Sequence, residues 1–373
     1  MVRQENRIAI ISPAENAYSE TFIQAQKNGL RGKVFYYYNG ELPGYLEGFG
    51  SLLNKRDGLI FKVKRKLKLT KFNVHENAFI KSLKDNKIQV ILAQYGPTAH
   101  RIAHICSYLK MPLVTHFHGY DASVDQIIDS YNSYKRVFSQ SFKVIAVSKV
   151  MERKLLSIGC PKEKIVYNVC APRKEFETVV PTYSKKQFLA VGRFTDKKAP
   201  YYTIMAFKKV LKKHPDAKLL MAGDGVLLNM CKNLVNHLKL EDNVVFLGVI
   251  TPKEYINLLE ESLAFVQHSI VADNGDMEGT PLSVLEASAA GLPVISTYHA
   301  GIPDVIEHTK TGLLCKEHDI ETMGEHMLNV LDNVAYARQL GLEGKRTIKK
   351  QFSMERHINR LDEVLFEASK SIV

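Results

Sequence analysis

The sequence predicts an α/β protein of two doubly wound parallel-sheet domains, and three observations lead to that prediction. The chain has 373 residues, which is more than one hydrophobic core usually serves. Its apolar content of 45% is enough for well-packed interiors. Short apolar segments of strand length alternate with helical stretches throughout the chain, which is the pattern of parallel sheets covered by helices.

Five predicted strands lie in the first half of the chain, with predicted helices between them. They occupy residues 7–12, 33–38, 90–93, 112–117 and 143–148. Each is a short apolar run that ends before a helical pattern, for example those beginning at Ser19 and Thr98. We therefore expect residues 1–170 to form an N-terminal Rossmann-like domain.

Five further strands are predicted in the second half, at residues 187–192, 217–223, 243–248, 263–269 and 293–297. They indicate a C-terminal Rossmann-like domain over residues 187–352. The stretch between the two domains, residues 171–186, is polar and contains two prolines, so we interpret it as a linker.

The net charge of +12 is unevenly distributed along the chain. Residues 1–170 carry 26 Lys and Arg against 13 Asp and Glu, whereas the remaining residues carry 25 against 26. The densest cluster, which we call the basic segment, spans residues 61–72 and contains Lys62, Lys64, Arg65, Lys66, Lys68 and Lys71. Cations interspersed with apolar residues suit an anionic membrane surface or a polyanion, and a solvated helix face is the open alternative.

The sequence also indicates the cellular compartment and the state of the cysteines. No run of 18 apolar residues is present, and the N-terminal MVRQENRIAIIS has too short an apolar run for a secretion signal, so we expect a cytoplasmic protein. The cysteines show no metal-ligand spacing and are expected to be buried free thiols. They are Cys106, Cys160, Cys170, Cys231 and Cys315.

Standard nucleotide loops are missing from the sequence. In open parallel sheets, ligands bind beyond the carboxyl ends of the strands, so a nucleotide-binding loop is expected there. MAGDGVLL places glycines at 223 and 225, but Leu228 occupies the third position of a G-x-G-x-x-G fingerprint. A G-x-x-x-x-G-K-[ST] loop is absent as well.

The stretch EGTPLSVLEASAAGLPVIST, residues 278–297, combines a helix start with two carboxylates. Thr280 can cap a helix that begins at Pro281, and Gly291 suits the left-handed position that ends it. The free N–H groups and partial positive charge of the helix start favour a phosphate. Glu278 and Glu286 beside such a site are reasonable if they accept hydrogen bonds from neutral hydroxyls, such as those of ribose and a sugar.

Cations for a diphosphate follow the first strand of the second half. In VGRFTDKKAP, Arg193 can fork onto phosphate oxygens and Lys198 adds a compact charge. In the first half, THFHGYDAS places His118 and Asp121 after a strand, whereas His116 is expected to be a packed residue. The acidic DNGD, residues 273–276, is interpreted as a loop and not as a metal site.

These motifs together resemble the retaining glycosyltransferases of the large bacterial family with the GT-B fold. The resemblance covers nearly the whole chain in order: SETF, HGYD, VGRF with its lysine, MAGDG, FLG, E-x7-E and FSMERHINRL. It implies two Rossmann-like domains that face a central cleft, with acceptor-binding by the first and nucleotide-sugar binding by the second. It also implies catalysis without a metal or another cofactor.

The resemblance further implies roles for individual residues. Arg193 and Lys198 look like the pair that holds the diphosphate, and Glu286 looks like the carboxylate on the ribose hydroxyls. Glu278 looks like the carboxylate beside the transferred sugar, and His118 like the active-site histidine of the other domain. Further donor contacts are expected from Gly279, Thr280, Pro281, Leu282, Ser283, Gly223, Asp224, Gly248 and Val249.

The chain departs from the family pattern in two places. Many relatives carry a double-glycine loop after the first strand, where this chain has PAENAYSETF; we place Ser19, Glu20 and Thr21, together with Asp121, on the acceptor side. Many relatives have Lys-Gly where this chain has Lys198-Ala199-Pro200. In relatives the last helix, here within residues 353–373, crosses back onto the N-terminal domain.

The expected activity is transfer of a hexosyl unit from a UDP- or GDP-sugar to a glycan or lipid-linked saccharide in cell-surface polysaccharide biosynthesis. The basic segment would hold the protein at the inner face of the plasma membrane. One alternative is a nucleotide-sugar epimerase or hydrolase of the same fold. Another is a non-catalytic polyanion binder, but aromatic residues are not interleaved among the cations from Lys62 to Lys71, so no nucleic-acid partner is expected.

Overall fold

The computed structural model describes residues 6–15 and 20–371, which form two compact units. Unit 1 takes the described residues up to Val147, together with Met151–Asn168 and the chain from His357 onward. Unit 2 consists of Ser148–Val150 and Val169–Arg356.

Unit 1 contains an eight-stranded sheet in the order β4-β3-β2-β1-β5-β6-β7-β8. Its strands are β1 Arg7–Ile11, β2 Lys33–Tyr38, β3 Tyr45–Leu46, β4 Gly50–Ser51, β5 Val90–Gln94, β6 Leu113–His116, β7 Ser141–Ala146 and β8 Ile165–Tyr167. At one edge, β3 pairs antiparallel with both β2 and β4, and the other pairs are parallel. The strand order reverses between β1 and β5, so the carboxyl ends of these two strands form a topological switch point.

Unit 2 contains a six-stranded, fully parallel sheet in the order β11-β10-β9-β12-β13-β14. Its strands are β9 Gln187–Val191, β10 Lys218–Ala222, β11 Val244–Gly248, β12 Ala264–Val266, β13 Val294–Thr297 and β14 Gly312–Cys315. The switch point of this sheet lies between β9 and β12. The prediction of two parallel-sheet α/β domains is therefore confirmed.

Helices connect the strands of both sheets. They are α1 Thr21–Gly29, α2 Lys55–Lys66, α3 Val74–Asp85, α4 Gly96–Leu109, α5 Tyr120–Ser123, α6 Asp125–Ser130, α7 Lys135–Gln140, α8 Lys149–Ser157, α9 Pro200–Val210, α10 Leu228–Leu238, α11 Pro252–Glu261, α12 Leu282–Ala290, α13 Ile302–Val305, α14 Ile320–Asp332, α15 Val334–Gln351 and α16 Met354–Lys370. Side-chain caps fix several starts, for example the capping boxes of Asn73 with Glu76 and of Thr251 with Glu254.

The central strands are buried on both faces, which explains why they read as continuous apolar runs. Every residue of β5, β6, β12 and β13 is buried, as parallel strands covered by helices must be. All five cysteines are buried and free, which confirms that prediction. Within the described part of the chain, no helix combines the length and the apolar character needed to cross a bilayer.

Several boundaries differ from the sequence-based expectation. The predictions missed β3, β4, β8 and β14, which are edge strands or lie next to an edge strand and have only two to four residues each. Helix α12 begins at Leu282, one residue later than predicted, and its cap is Pro281 without a side-chain hydrogen bond, so Thr280 is not the cap. Its end at Gly291, with φ 96°, agrees with the prediction.

The segment predicted as a linker is packed into unit 2. Phe176 in the 3-10 helix Lys174–Thr178 is fully buried and meets the Tyr255 ring edge-on. The Tyr183 hydroxyl donates to the carbonyl of Gly291 at 2.5 Å, and Lys345 Nζ donates to the carbonyl of Val179 at 2.6 Å. The two prolines and the polar residues correctly indicated a loop. The three contacts that hold it against unit 2 involve residues distant in sequence, so the local pattern could not predict them.

Helix α16 belongs to unit 1 from His357 onward. A Cβ atom on Gly29 of α1 would lie 3.0 Å from Ile358, so the two helices approach closely at that glycine. The Arg31 amide donates to Asp362 Oδ1 at 2.9 Å, and the Asn168 side chain donates to the carbonyl of His357 at 3.1 Å.

A substitution at Gly96, which follows β5, tests how tightly the switch point of unit 1 is packed. A Cβ atom there would lie 2.5 Å from the Phe117 ring and 2.7 Å from the Tyr134 ring. We expect Gly96→Ala to lower the free energy of unfolding by about 1–3 kcal/mol, because both rings are fully buried and must shift. Urea unfolding measures this, with Gly44→Ala as control, since the nearest atom there is 3.8 Å away. Equal stability of the two variants would contradict the packing described.

Candidate functional site

The candidate site lies at the switch point of unit 2, where the loops after β9 and β12 meet the start of α12. A pocket at this point is lined by Gly192, Arg193, Lys198, Thr203 and Gln267, among others. Arg193 and Lys198 come from the β9 loop, and Gln267 comes directly after β12. Ligands bind at such points because the loops on either side run to opposite faces of the sheet and leave a crevice.

Lys198 and Glu278 form a largely buried ion pair in this crevice. Lys198 Nζ lies 3.2 Å from Glu278 Oε1 and donates to Gln267 Oε1 at 3.2 Å. The Ser283 hydroxyl donates to the same Gln267 oxygen at 3.0 Å. Burial would raise the pKa of Glu278, but Lys198, Lys197 and His299 lower it below its usual value. Burial also lowers the pKa of Lys198, which Glu278 partly offsets. The fold therefore brings together the cation and the carboxylate that the sequence predicted, Lys198 and Glu278.

Arg193 is exposed beside this pair, and its guanidinium makes no hydrogen bond or ion pair with any described residue. The loop that carries Arg193 packs against the MAGDG turn, residues 221–225. A Cβ atom on Gly223 would lie 2.0 Å from the Gly192 carbonyl, and one on Gly225 would lie 2.5 Å from the Phe194 carbonyl. The Phe194 amide also donates to the Asp224 carbonyl at 2.9 Å. In this structure the two glycines and Asp224 act by supporting the loop that carries Arg193.

The loop that carries Glu278 is held at two points, and the second is itself supported by an acidic residue. Lys197 Nζ lies 2.9 Å from Asp276 Oδ1, so this carboxylate of the DNGD stretch is engaged in an ion pair. The Glu278 amide donates to His299 Nε2 at 3.1 Å, and His299 Nδ1 lies 2.7 Å from Glu317 Oε1. Because Nε2 of His299 accepts a hydrogen bond, the ring proton is on Nδ1. This N–H group donates a hydrogen bond to Glu317. The expectation of a site without metal stays a prediction.

His299 and Glu317 were missed by the sequence reading. They follow β13 and β14, so both lie at the carboxyl edge of the sheet, where ligand-binding loops are expected. Glu317 also accepts from the Val271 amide at 2.9 Å, which ties the loop after β12 a second time. A histidine directly after a predicted strand was an available signal, but its partner is 18 residues away and follows a strand that was not predicted.

The start of α12 presents backbone donors toward the crevice side of the sheet. The amide groups of Leu282 and Ser283 donate to no other residue in the described ranges. The Gly279 carbonyl accepts from the Gly301 amide at 2.9 Å, which fixes the turn before the helix. A Cβ atom on Gly301 would lie 2.2 Å from Thr280 Oγ1, so only glycine fits there. The two open amides match the anion site expected at this helix start.

Glu286 lies inside α12 and is buried. Arg173 Nε is 3.7 Å from Glu286 Oε1, and the same guanidinium reaches Glu175 at 2.8 Å. Burial raises the pKa of Glu286 to about 7, while Arg173 lowers it and Glu175 raises it further. Sequence reasoning found Glu286 but missed Arg173, because Arg173 lies in the segment taken for a linker.

The expected base contacts lie at the same edge of the sheet: Gly248 is the last residue of β11, and Val249 follows it. The Gly248 carbonyl accepts from the Gly223 amide at 2.7 Å, so it already has a partner. Val249 is 58% exposed and offers an apolar surface. Gly248 has φ 67°, a left-handed conformation that suits glycine at this turn.

In unit 1, His118 follows β6 at the carboxyl edge of the sheet and is partly exposed. Its Nε2 lies 2.7 Å from Gln94 Oε1, and its ring packs against those of Phe22 and Tyr95 with centroids 4.4 and 4.8 Å apart. Burial lowers the pKa of His118 to about 3, with a further contribution from His357. The imidazole is therefore neutral at physiological pH.

Asp121 fixes the backbone around His118. One carboxylate oxygen accepts from the amides of His118 and Gly119 at 3.0 and 2.9 Å, and the other accepts from the Gly96 amide at 3.0 Å. The side chain is fully buried, so its carboxylate shapes the two loops and does not face solvent. A role on the acceptor side would therefore be indirect.

The other residues expected on the acceptor side are only partly described. Ser19 lies outside the described residues. Glu20 precedes α1 without capping it and accepts from the Tyr95 hydroxyl at 2.7 Å, and Thr21 is the first residue of α1. Tyr95 holds φ at 72°, an unusual value for a non-glycine residue, at the end of β5 next to the switch point.

Comparison with known proteins agrees with the class that the fold and the switch-point site define, the GT-B proteins. HepE of Anabaena, crystallised with UDP and glucose, superposes with a TM-score of 0.76 at 14% identity, over 97% of this chain and 100% of HepE. The model of the family "Glycosyl transferases group 1" matches residues 173–347, and that of "Glycosyltransferase Family 4" matches residues 54–168. The chain belongs to the group 1 glycosyltransferase family.

Two curated relatives show the extent of the similarity. The amylovoran biosynthesis glycosyltransferase AmsK of Erwinia amylovora is 30% identical over 274 residues, which are 72% of this chain and 67% of AmsK. The N-acetyl-alpha-D-glucosaminyl L-malate synthase of Bacillus anthracis is 29% identical over 281 residues, 70% of this chain and 71% of that enzyme. The chain spans 61% and 60% of the length of two further relatives, from Escherichia coli and Salmonella typhimurium.

The buried carboxyl of Glu286 makes the stability of the free protein depend on pH. Its folded pKa of about 7 lies above the ordinary value of 4.5, so the folded state retains a proton that the unfolded state loses. The stability of the wild type therefore falls as pH rises between these values. We expect the stability of Glu286→Gln relative to the wild type to increase by about 2 kcal/mol from pH 5.5 to pH 8.5.

Chemical unfolding at both pH values measures this difference, with the exposed Glu241→Gln as the matched control. The control is expected to follow the wild type at both pH values. A constant difference between Glu286→Gln and the wild type would show that Glu286 is ionised throughout the range.

Proposed function

We propose that the protein is a retaining, metal-independent hexosyltransferase. It moves a sugar from a UDP- or GDP-sugar to a glycan or lipid-linked saccharide in cell-surface polysaccharide biosynthesis. Unit 2 binds the donor in this proposal, and unit 1 contributes acceptor contacts and His118. The name of AmsK, a polysaccharide biosynthesis enzyme, and the UDP and glucose bound by HepE support this choice of donor and acceptor.

One observation carries the proposal: at the switch point of unit 2, two cationic side chains and an open helix start converge without enough acidic partners. Lys198 is paired with Glu278, but the exposed Arg193 is not paired within the described chain. The open amides of Leu282 and Ser283 add the partial positive charge of a helix start. A diphosphate satisfies all of these donors at once.

The two carboxylates of the E-x7-E motif suit the neutral parts of the same ligand. Glu286 accepts hydrogen bonds from the ribose hydroxyls in this proposal, and Glu278 accepts them from hydroxyls of the transferred sugar. Both side chains are largely buried, so water competes weakly for their oxygens. In a nucleotide-diphosphate sugar, the ribose and the transferred sugar lie on opposite sides of the diphosphate, and the proposal assigns one carboxylate to each.

The chemical step breaks the bond between the anomeric carbon and the diphosphate oxygen. A new bond joins the same carbon to an acceptor hydroxyl oxygen, and the hydroxyl proton is released. Negative charge accumulates on the leaving diphosphate, where Arg193, Lys198 and the start of α12 stabilise it. Lys198 and the start of α12 are held in place before the reaction by their own contacts, so their stabilisation requires little reorganisation. Retention of the anomeric configuration is proposed from the family resemblance.

Binding of a nucleotide-sugar panel tests the donor. UDP- or GDP-sugars are expected to raise the thermal stability of the protein, because a ligand that binds only the folded form stabilises it.

Arg193→Ala is expected to lower turnover roughly tenfold to a thousandfold, the scale of losing one charge stabiliser. Arg346→Ala is the matched control, since Arg346 is exposed and paired with Glu343 on α15.

Product analysis with and without an acceptor completes the test. Wild-type turnover by Arg193→Ala would refute its assignment. Rapid turnover of the donor in the absence of any acceptor would replace transfer by the hydrolase or epimerase reaction.

We further propose that unit 1 docks on an anionic membrane surface through α2 and the basic segment. Asn54 caps α2, and the buried Phe61 anchors the helix to the unit. Apolar side chains project into solvent along the helix and the turn after it: Leu59 is 67% exposed, Leu67 62% and Leu69 71%. Exposed apolar groups next to clustered cations suit an interface where acyl chains and anionic headgroups meet.

Replacing Lys64, Arg65, Lys66 and Lys68 by Ser is expected to weaken binding to phosphatidylglycerol vesicles roughly a hundredfold to a thousandfold, at about 1 kcal/mol per cation. Nucleotide affinity is expected to be unchanged. The matched control replaces four exposed lysines of unit 2 by Ser, so that the net charge changes equally; they are Lys208, Lys212, Lys232 and Lys253. Equal losses in both variants would show that only net charge matters and would remove the docking surface.

A further inference from the structure

A chain of buried polar side chains leads from His118 into the interior of unit 1. Gln94 Oε1 lies 2.7 Å from His118 Nε2, and Gln94 Nε2 donates to Gln26 Oε1 at 2.8 Å. Gln26 Nε2 then lies 3.1 Å from His357 Nε2 and 3.4 Å from His116 Nδ1. We call these five residues the glutamine–histidine chain. Its four members beyond His118 are buried.

The hydrogen bonds of this chain run in one direction. A glutamine side chain offers one accepting oxygen and one donating NH2 group, so orienting one glutamine orients the next. Gln94 uses its NH2 group on Gln26, which leaves its oxygen for His118. The only group that can donate to that oxygen from the ring is a protonated Nε2. His118 is thereby held with its proton on Nε2 and with a lone pair on Nδ1.

Three aromatic rings hold the imidazole in this orientation. The centroid of His118 lies 4.2 Å from that of His116, 4.4 Å from that of Phe22 and 4.8 Å from that of Tyr95. Among the described residues, none donates a hydrogen bond to Nδ1 of His118. Nδ1 is therefore the atom of the ring that remains to meet a ligand.

We propose that Gln94 and Gln26 are positioning residues that fix His118 as its Nε2–H tautomer, so that Nδ1 accepts a hydrogen bond from a substrate hydroxyl. The proposal rests on the proposed function for the identity of that hydroxyl, which belongs to a sugar. It assigns His118 the role of a neutral acceptor and excludes the role of a cation toward phosphate. The low pKa of His118 agrees with a neutral ring.

The network is costly unless it serves such a purpose. Buried amides and imidazoles that are not fully hydrogen-bonded destabilise a fold, and His116 Nε2 has no partner among the described residues. An apolar core would fill the same space without that cost. The glutamine–histidine chain instead connects residues of α1, β5, β6 and α16 to Nε2 of His118 at the sheet edge. Side chains that support a functional group from behind are arranged in this way.

Nitrogen NMR of protein labelled with 15N-histidine tests the tautomer directly. In the wild type, long-range proton–nitrogen correlations of His118, assigned by their loss in His118→Asn, are expected to show a protonated Nε2 and an unprotonated Nδ1 between pH 5.5 and 8.5. In Gln94→Leu the preference is expected to be lost, and the two nitrogen shifts move toward each other. A wild-type ring with its proton on Nδ1 would overturn the proposal, as would an unchanged tautomer in Gln94→Leu.

Gln94→Glu keeps the test decisive if the leucine variant does not fold. A carboxylate still accepts from Nε2–H and favours the charged imidazolium, so His118 is expected to keep its tautomer and to titrate at higher pH than in the wild type. An unshifted titration of His118 in this variant would show that residue 94 does not act on the ring.

Steady-state kinetics test the role in the reaction. Gln94→Leu is expected to lower kcat roughly tenfold to a hundredfold, the scale of one misdirected hydrogen bond, with the nucleotide Kd unchanged. Gln187→Leu is the matched control, because Gln187 is a buried glutamine of unit 2 that donates to Ser262. An unchanged kcat in Gln94→Leu would overturn the positioning role. Absence of sugar transfer by the wild type would count against the proposed function alone, since the NMR result is independent of transfer.

Discussion

The ion pair between Lys198 and Glu278 is the interaction on which the candidate site depends. It lies largely out of water, where separating two charges from solvent costs several kcal/mol per ion unless further hydrogen bonds compensate. Those bonds come from two neighbouring loops: Gln267 after β12 accepts from Lys198, and His299 after β13 accepts from the backbone of Glu278. The pair thus ties together the loops after β9 and β12 at the carboxyl edge of the sheet.

The two units use the same edge of the same kind of sheet with different chemistry. In unit 2, charges predominate, and they suit a ligand that carries a diphosphate. In unit 1, neutral amides and imidazoles predominate around His118, and they suit a ligand that offers hydroxyl groups. The difference follows from how buried groups are compensated. In unit 2 the charges of Lys198 and Glu278 compensate each other, whereas the buried amides of Gln94 and Gln26 in unit 1 need only correctly directed donors and acceptors.

Glu286 and Arg193 show that the free protein holds groups in unfavourable states. The carboxyl of Glu286 is buried with an arginine at 3.7 Å, which does not fully compensate its charge. Arg193 is exposed near another cation, Lys198, whose pKa it helps to lower. Groups with a perturbed pKa, such as Glu286 and Lys198 here, are concentrated at functional sites in proteins.

The sequence by itself determined the alternation of strands and helices, the two parallel sheets, the end of α12 at Gly291 and the positions of Arg193, Lys198, Glu278 and Glu286 after strands or at a helix start. These features depend on hydrophobic periodicity and on local backbone preferences, which a window of ten to twenty residues contains. Only the tertiary structure decided the partners: Gln94 for His118, Arg173 for Glu286, and Glu317 with His299 for the loop of Glu278. Those pairs are between 18 and 113 residues apart, and their proximity depends on strand order, register and loop path. The short strands β8 and β14 belong to the same group, because sheet pairing stabilises them and three or four residues carry too little local preference to reveal them.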